Sequence, residues 1–411
     1  MTEWTTVALR DVAQVFDGPH ATPRKTDDGP WYLSISSLKQ GRFDFSESAH
    51  LSDVDLPRWT KRVMPRPGDT LFSYETRLGD AAYWGHSCQA ALGRRMGLLR
   101  PDPERVNPRY LSYAYLGPDF QSTIRENTLS GSTVDRIPVG AMPNWPIRLP
   151  DLVSQSVIAE VLGSIDDLIE NNRRRVEVLE EMARAIYREW FVKFQYPGHE
   201  DVPLVDSALG PVPHEWSVAN LFNAADVGFG CSFKSPRFSN SGPFQVIRIR
   251  DIPSGISGTF TDEVADPRYA VFDDDVLIGM DGDFHMTVWT GEDAWLNQRV
   301  TRLRPKLGLS ALHLLLAIEG QIKEWNRAIV GTTVAHLGKK HLQLVTVLVP
   351  NEVTLARASG VFVPMMDERR TLIQSSRRLA ALRDRLLPKL VTGQIDVASL
   401  DLDALVGDRV A

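Results

Sequence analysis

The sequence predicts an α+β protein in which two similar mixed α/β domains are separated by two long helices forming an antiparallel coiled coil with pseudo-twofold symmetry. Three observations predict it. The chain is written twice: Trp4 with Leu9-Arg10-Asp11-Val12 is answered by Trp216 with Leu221 and Asp226-Val227, and Gly131-Ser132-Thr133-Val134 by Gly331-Thr332-Thr333-Val334. The copies lie about 200 residues apart, far beyond the spacing of solenoid repeats, so each is domain-sized. Finally, Leu149-Pro150 and Val349-Pro350 each precede a long stretch of helical periodicity.

The first copy, residues 1–150, alternates strand-like runs with turns. Trp31 to Ile35, Leu71-Phe72 after Pro67-Gly68-Asp69-Thr70, and Met96 to Leu99 read as strands; Pro108 to Tyr115 reads as a helix, and Trp145 to Ile147 closes the unit. Residues 151–196 hold the clearest periodicity. Ile158, Leu162, Ile165, Ile169, Asn172, Val176, Leu179, Ala183, Ile186 and Trp190 step by fours and threes, the seam of a coiled coil. One helix of ~35 residues, about 50 Å long, is implied. Asn172 is the polar member of that seam, a placement that fixes register at some cost in stability. Glu177, Glu180, Glu181 and Arg184 fall on the outer, solvated face.

Residues 197–211 read as a polar linker, opened by Tyr196-Pro197-Gly198. The second copy, 212–350, replays the order with Phe244 to Ile247, Asp275 to Ile278, Val300 to Leu303, a helix over Leu312 to Trp325, and Leu344 to Val347. In the distal helix, 351–395, Met365/Met366, Leu372/Ile373, Leu379/Ala380 and Leu386/Leu387 recur at sevens. A helix with one apolar face needs a partner, and the order domain, helix, domain, helix makes an antiparallel pair the simplest arrangement. Residues 396–411 form a tail.

A chain of 411 residues with 43% hydrophobic and 24% charged residues can bury two cores. Its net charge of -6 argues against a uniformly basic nucleic-acid protein, although local clusters matter more than the total for phosphate contact. The opening Met1 to Thr5 is neither basic nor apolar, and no apolar run approaches a membrane span, so a cytoplasmic protein with no membrane partner is expected. Cys88 and Cys231 lack metal-ligand spacing and read as small buried thiols.

At the central helix the sequence resembles the specificity subunits of Type I restriction-modification enzymes. The resemblance rests on Leu162, Ile165-Asp166-Asp167, Ile169, Asn172, Leu179-Glu180, Met182-Ala183 and Glu189-Trp190-Phe191. Leu382-Arg383-Asp384, Leu386 to Leu390 and Gly393 resemble the family's distal region; Pro67-Gly68-Asp69, Leu296-Asn297-Gln298 and the two glycine loops resemble its domains. Two departures stand out: Ser154-Gln155, where an acidic residue before the glutamine is common, and Asn351 to Leu355, which has no glutamine.

The resemblance implies a non-catalytic subunit whose two target-recognition domains each read one half of a split, asymmetric site in double-stranded DNA. It implies no cofactor in this chain. Two methylation subunits carry S-adenosylmethionine and methylate adenine, and restriction or motor subunits use ATP and Mg. A ~50 Å helix suffices to hold two readers roughly 34 to 36 Å, one DNA turn, apart. The helices then act as spacer and docking surface through Ile158, Leu162, Ile165, Ile169, Asn172, Val176, Leu179, Ile186, Leu372, Leu379 and Leu386. Alternatives are the equivalent subunit of a system with a fused methylation and cleavage partner, a stand-alone methyltransferase that would itself bind S-adenosylmethionine, and a structural adaptor without DNA preference.

DNA contact draws on Arg and Lys for phosphate and guanine, and on Asn and Gln for adenine. In the first domain the candidates are Arg24, Lys25, Arg77, Arg94, Arg95, Ser132, Thr133 and Arg136. The second offers Lys234, Arg237, Arg248, Arg250, Asn297, Gln298, Arg299, Thr332, Thr333, His336, Lys339 and Lys340. The glycine loops weigh most, because glycine permits close approach of backbone to phosphate.

Three segments imitate catalytic motifs and are set aside. Asn107-Pro108-Arg109-Tyr110 resembles the Asn-Pro-Pro-Tyr of adenine methyltransferases, but Arg109 breaks it and the proline suits a helix start. Gly228-Phe229-Gly230 is a lone Gly-x-Gly, and Asp281-Gly282-Asp283 reads as a turn. Trp84 and Trp289 recur at matched positions and read as core, Trp190 and Phe191 as packing anchors; His285 and His336 lack partner ligands in sequence and carry no metal assignment.

Overall fold

The computed structural model describes residues 4–39, 41–131, 134–328 and 336–397. The chain divides into two compact units, Met1–Glu170 with Arg377–Ala411, and Asn171–Ser376.

In the first unit the opening strand Thr5–Ala8 pairs antiparallel with the closing strand Pro146–Leu149, Thr5 facing Leu149, so the ends of the domain are zipped together. Between them an antiparallel sheet runs in the order Ala13–Asp17, Met96–Pro101, Thr70–Ser73, Ala81–Tyr83. A second sheet places Thr26–Leu33 between Ala49–His50 and Ala90–Leu92, the last pairing parallel. Phe72, Trp84, Tyr110 and Tyr115 are fully buried in the core. Gly97 is required where it stands, since a Cβ there would lie 2.3 Å from the Phe72 ring. Helix Pro108–Leu116 starts as the sequence predicts: Pro108 takes its first turn and the Asn107 side chain accepts from the amides of Arg109 and Tyr110.

The second unit repeats this plan. Ser217–Asn220 pairs with Thr346–Val349. One sheet runs Ala225–Phe229, Val300–Pro305, Val276–Gly279, Met286–Val288, and the other contains the matching parallel pair Phe244–Ile247 with Ala294–Leu296. The predicted strands and both domain helices are therefore present, the second helix as Ala311–Ala328.

The ladders correct the register of the repeat. Ala13 faces Pro101 and Ala225 faces Pro305, so Ala13-Gln14-Val15 is the counterpart of Ala225-Asp226-Val227. Matching Asp11-Val12 to Asp226-Val227 by letter is three residues out of step.

The central helix spans Leu152–Tyr187 and continues as a π-helical turn over Arg188–Val192; the distal helix spans Glu352–Val391. Each begins on the same cap: Asp151 Oδ1 accepts the Ser154 amide at 2.9 Å and Asn351 Oδ1 the Thr354 amide at 3.0 Å. The missing glutamine at the distal start is thus immaterial to the cap. In the second unit Asn172 Nδ2 donates to Ser375 Oγ at 3.3 Å and Arg369 pairs with Glu180 at 2.9 Å, so the two helices run antiparallel. In the first unit Ile158, Ala159 and Leu162 share a core with Leu390 and Val391, and Arg383 pairs with Asp166 at 2.9 Å.

Three further expectations change. Glu180 and Arg184 lie on the outer face only in part, since Glu180 bonds Arg369 and Arg184 approaches Glu319 at 3.5 Å. The linker 197–211 is not structureless: Leu204–Ser207 forms a hairpin with Gly210–Pro213, turned by Gly210 at φ +90°. Cys88 is exposed and Cys231 half-buried, because both lie in connections rather than in strands. Trp84 and Trp289 are core, as expected. Among the described residues no helix is long and apolar enough to cross a membrane.

Candidate nucleic-acid interface

Each unit builds the same three-segment turn. In the first, the chain leaves Thr70–Ser73 at Tyr74-Glu75, turns again at Gly93-Arg94-Arg95, and returns from the glycine loop at Arg136-Ile137. Tyr74 donates its amide to the Arg95 carbonyl at 3.1 Å, and Ile137 donates to the Tyr74 carbonyl at 2.9 Å. Met280, Arg299 and Leu337 do the same in the second unit at 2.9 and 2.7 Å. Arg95 and Arg299 both adopt left-handed backbone, φ 73° and 70°. That conformation is uncommon for a non-glycine residue and persists where its surroundings over-determine it.

In each unit the carbonyl of this arginine is held by a main-chain bond, and an acid stands beside its side chain at the matched position. Glu75 pairs with Arg95 at 2.7 Å and bridges through its backbone to Arg136. Asp281 lies 3.5 Å from Arg299, accepts from His336 Nδ1 at 2.6 Å, and bridges to His336. Arg95, Arg299, Arg136 and His336 are therefore gathered at the exit of the glycine loops, with Arg95 and Arg299 serving as struts. The segment Asp281-Gly282-Asp283 is a turn, as expected, with Gly282 at φ 71°, and its first acid has this positioning role.

Between the struts each turn offers one long polar side chain. Arg94 and Gln298 occupy equivalent places: the Gly93 amide bonds the Leu33 carbonyl at 2.6 Å, and the Asn297 amide the Ile247 carbonyl at 3.2 Å. Both side chains are exposed, and neither has a side-chain partner among the described residues. Asn297 itself is buried and accepts from the Gln298 amide at 2.9 Å, so it shapes the turn. Arg248, which follows Ile247, lies beside this turn with its guanidinium 5.3 Å from the centroid of the Phe238 ring.

The remaining candidates scatter. Arg24 and Lys25 are exposed, but they precede the strand Thr26–Leu33, whose far end meets Gly93. Arg77 bonds the Ile35 carbonyl and approaches Asp80 at 3.7 Å. Arg237 is held by Asp262 at 2.7 Å, and Arg250 bonds Thr259 at 3.1 Å. The Lys234 amide binds Glu263. Lys339 lies 6.0 Å from the Phe222 ring centroid and Lys340 is exposed. Exposed ion pairs such as that of Arg237 are weak in water, so a phosphate can displace them. Ser132, Thr133, Thr332 and Thr333 lie outside the described residues.

Sequence reasoning missed the clamp beneath each turn. Arg100 grips Asp69 with two bonds of 2.9 and 2.7 Å, and Arg304 grips Asp275 with two of 2.8 and 3.1 Å. Both carboxylates are almost fully buried. Each also accepts the amide three residues before it, from Arg66 and Phe272. Losing one partner of such a buried pair costs on the order of 3 to 5 kcal/mol. A signal was present: the separations, 31 and 29 residues, nearly repeat. The segment Asn107 to Tyr110 is likewise structural, since Arg109 forks onto Asp167 at 2.7 and 2.9 Å.

A family model described as Type I restriction modification DNA specificity domain matches residues 1–181 and 213–353. The MjaIX specificity subunit, from a Type I restriction enzyme of Methanocaldococcus jannaschii, is 21% identical over 97% of this chain and 95% of its own. The EcoBI specificity subunit of Escherichia coli is 28% identical over 46% of this chain and 41% of its own. The crystal structure of the Type I restriction-modification system S subunit from M. genitalium shares the fold, with a TM-score of 0.55 at 16% identity, covering 95% of this chain and 96% of that one.

Proposed function

This chain belongs to the family of Type I restriction modification DNA specificity domains and carries the domain twice, as a specificity subunit; from that premise we propose that each repeat reads one half of a bipartite, asymmetric site in double-stranded DNA. The observation that carries the proposal is the duplicated turn. In both units a buried acid clamped by an arginine underlies a turn with a left-handed arginine, and one exposed hydrogen-bonding side chain without a side-chain partner among the described residues, Arg94 or Gln298, projects from it. Rigid support with a free reader is what discrimination between base edges requires. The arginines and lysines around the turns supply phosphate contacts that set register without reading sequence.

In this reading the chain performs no chemistry. It acts in the cytoplasm, its helices dock two methylation subunits that carry S-adenosylmethionine, and restriction subunits supply ATP-driven translocation and cleavage. The helix pair also sets the spacer between the half-sites.

The test is single-molecule methylation mapping of DNA from cells expressing this chain with its neighbouring methylation subunit, against cells lacking the chain. A split asymmetric motif with methylated adenine in both halves is expected. If no motif depends on the chain, the recognition reading is wrong.

A further inference from the structure

The first unit holds an exposed cleft apart from the turn's candidate residues, walled by the loop Asp17 to His20 and the segment Arg58 to Val63, with Leu92 at its floor. We propose that this cleft binds the phosphate backbone of duplex DNA beside the half-site the first repeat reads, an inference that rests on the recognition reading above.

Four basic side chains line it: His20, Arg58, Lys61 and Arg62. One acid, Asp17, faces them, 3.0 Å from His20 Nε2 and 3.6 Å from Arg62, while Arg62 also reaches the Gly18 carbonyl at 3.5 Å. Arg58 lies 5.7 Å from the centroid of the Trp59 ring, and neither it nor Lys61 has a carboxylate partner among the described residues. A concave wall with more cations than acids concentrates positive potential, and a chain of phosphates meets several of its charges at once.

Comparison of the repeats shows the charge to be an addition to the shared fold. Both contain a proline, an arginine and an aromatic residue in a row, Pro57-Arg58-Trp59 and Pro267-Arg268-Tyr269, with the arginine over the ring in each. Both then present a carbonyl to the clamp arginine: Met64 to Arg100 and Ala270 to Arg304, each at 2.9 Å. The aromatic residue directly precedes that carbonyl residue in the second repeat. In the first, Thr60-Lys61-Arg62-Val63 intervenes. This four-residue insertion brings two cations to a surface where the second repeat keeps Arg237 on Asp262 and Arg268 within 3.8 Å of Asp266.

The location suits backbone contact. Gly18 donates its amide to the Met96 carbonyl at 2.9 Å, and Leu92 precedes Arg94 by two residues, so the cleft adjoins the reading turn. A phosphate held there would fix the turn against the base edges.

The test is binding of the full chain to a fluorescent random-sequence 30-base-pair duplex over a salt series. A Lys61→Gln/Arg62→Gln variant is compared with wild type and with Arg378→Gln/Arg385→Gln, which removes two exposed charges from the distal helix. Two lost phosphate contacts should flatten the slope of log affinity against log salt by about 1.8, and the control should leave it unchanged. An unchanged slope in the cleft variant overturns the inference, as does an equal change in the control. Lys61→Gln alone, at an exposed unpaired position, should lower the slope by about 0.9 and keeps the test valid if the double variant fails to fold. A wild-type chain that binds no duplex would overturn the recognition reading itself.

Discussion

Arg94 and Gln298 occupy one place in two copies of a turn, and the chemistry of the pair differs. Arginine matches the two acceptors of guanine, and glutamine the acceptor and donor of adenine, each good pair being worth about 1 to 3 kcal/mol of discrimination. Arg94→Gln should therefore change or relax one base position in one half of the methylated motif and leave the other half intact. A motif unaltered in both halves would remove Arg94 from the reading set. A second residue carries a stability prediction. His313 is buried against Phe191, with ring centroids 4.4 Å apart, and neither ring nitrogen has a hydrogen-bond partner among the described residues. Burial pushes its pKa down to about 4. Below the ordinary 6.5 the unfolded chain takes up a proton that the folded one refuses, so stability present at neutral pH is lost as pH falls from 6.5 to 4. The full difference is on the order of 3 kcal/mol. His313→Leu should flatten the fall in melting temperature of the second unit across that window; an identical fall would assign the acid sensitivity to other groups.

At the scale of elements, the helix seam was legible because its period repeats over ten positions, from Ile158 at one end to Trp190 at the other. Asn172 is the informative exception. It is buried and, among the described residues, its side chain makes a single hydrogen bond, to Ser375 at 3.3 Å, which fits a residue kept for register. Asn172→Leu should raise the melting temperature of the second unit by roughly 2 to 4 °C, the shift expected of about 1 kcal/mol in a unit of this size. Asn172→Ala should lower it. A lower melting temperature for the leucine variant would mean that the hydrogen bond itself stabilises the pair. Other elements were hidden for identifiable reasons. The hairpin Leu204–Ser207 with Gly210–Pro213 has prolines at both edges and too few residues to show alternation. The clamps join residues far apart in sequence, where no local pattern shows them. The basic cleft draws on two loops and an insertion, which a search for a charge run along one segment misses. Among the candidates, residue type picked out Arg94, Arg95, Gln298 and Arg299 alike, but could not separate the two arginines paired with acids from the two exposed side chains, because that distinction depends on where the fold puts Glu75 and Asp281.

For the molecule as a whole, the decisive property is that each repeat closes on itself. Thr5–Ala8 zips to Pro146–Leu149, and Ser217–Asn220 to Thr346–Val349, so each copy of the duplicated turn is fixed inside its own unit. A change confined to a long helix should then alter the spacing of the recognised half-sites without altering what each repeat reads. Four residues inserted into the central helix, just after Glu170, add one turn and keep the apolar face within about 40° of its original direction. They lengthen the helix by about 6 Å. Successive base pairs rise by about 3.4 Å, so the insertion can accommodate at most about two additional pairs, and fewer if the helix is inclined to the duplex. Methylation mapping should therefore return both original half-sites with a spacer longer by one or two base pairs. An unchanged spacer with methylation retained would show that the helix is not the ruler. Altered half-sites would show instead that the helix reaches into the reading turns, and the self-closure of the two repeats would then be no guarantee of independent recognition.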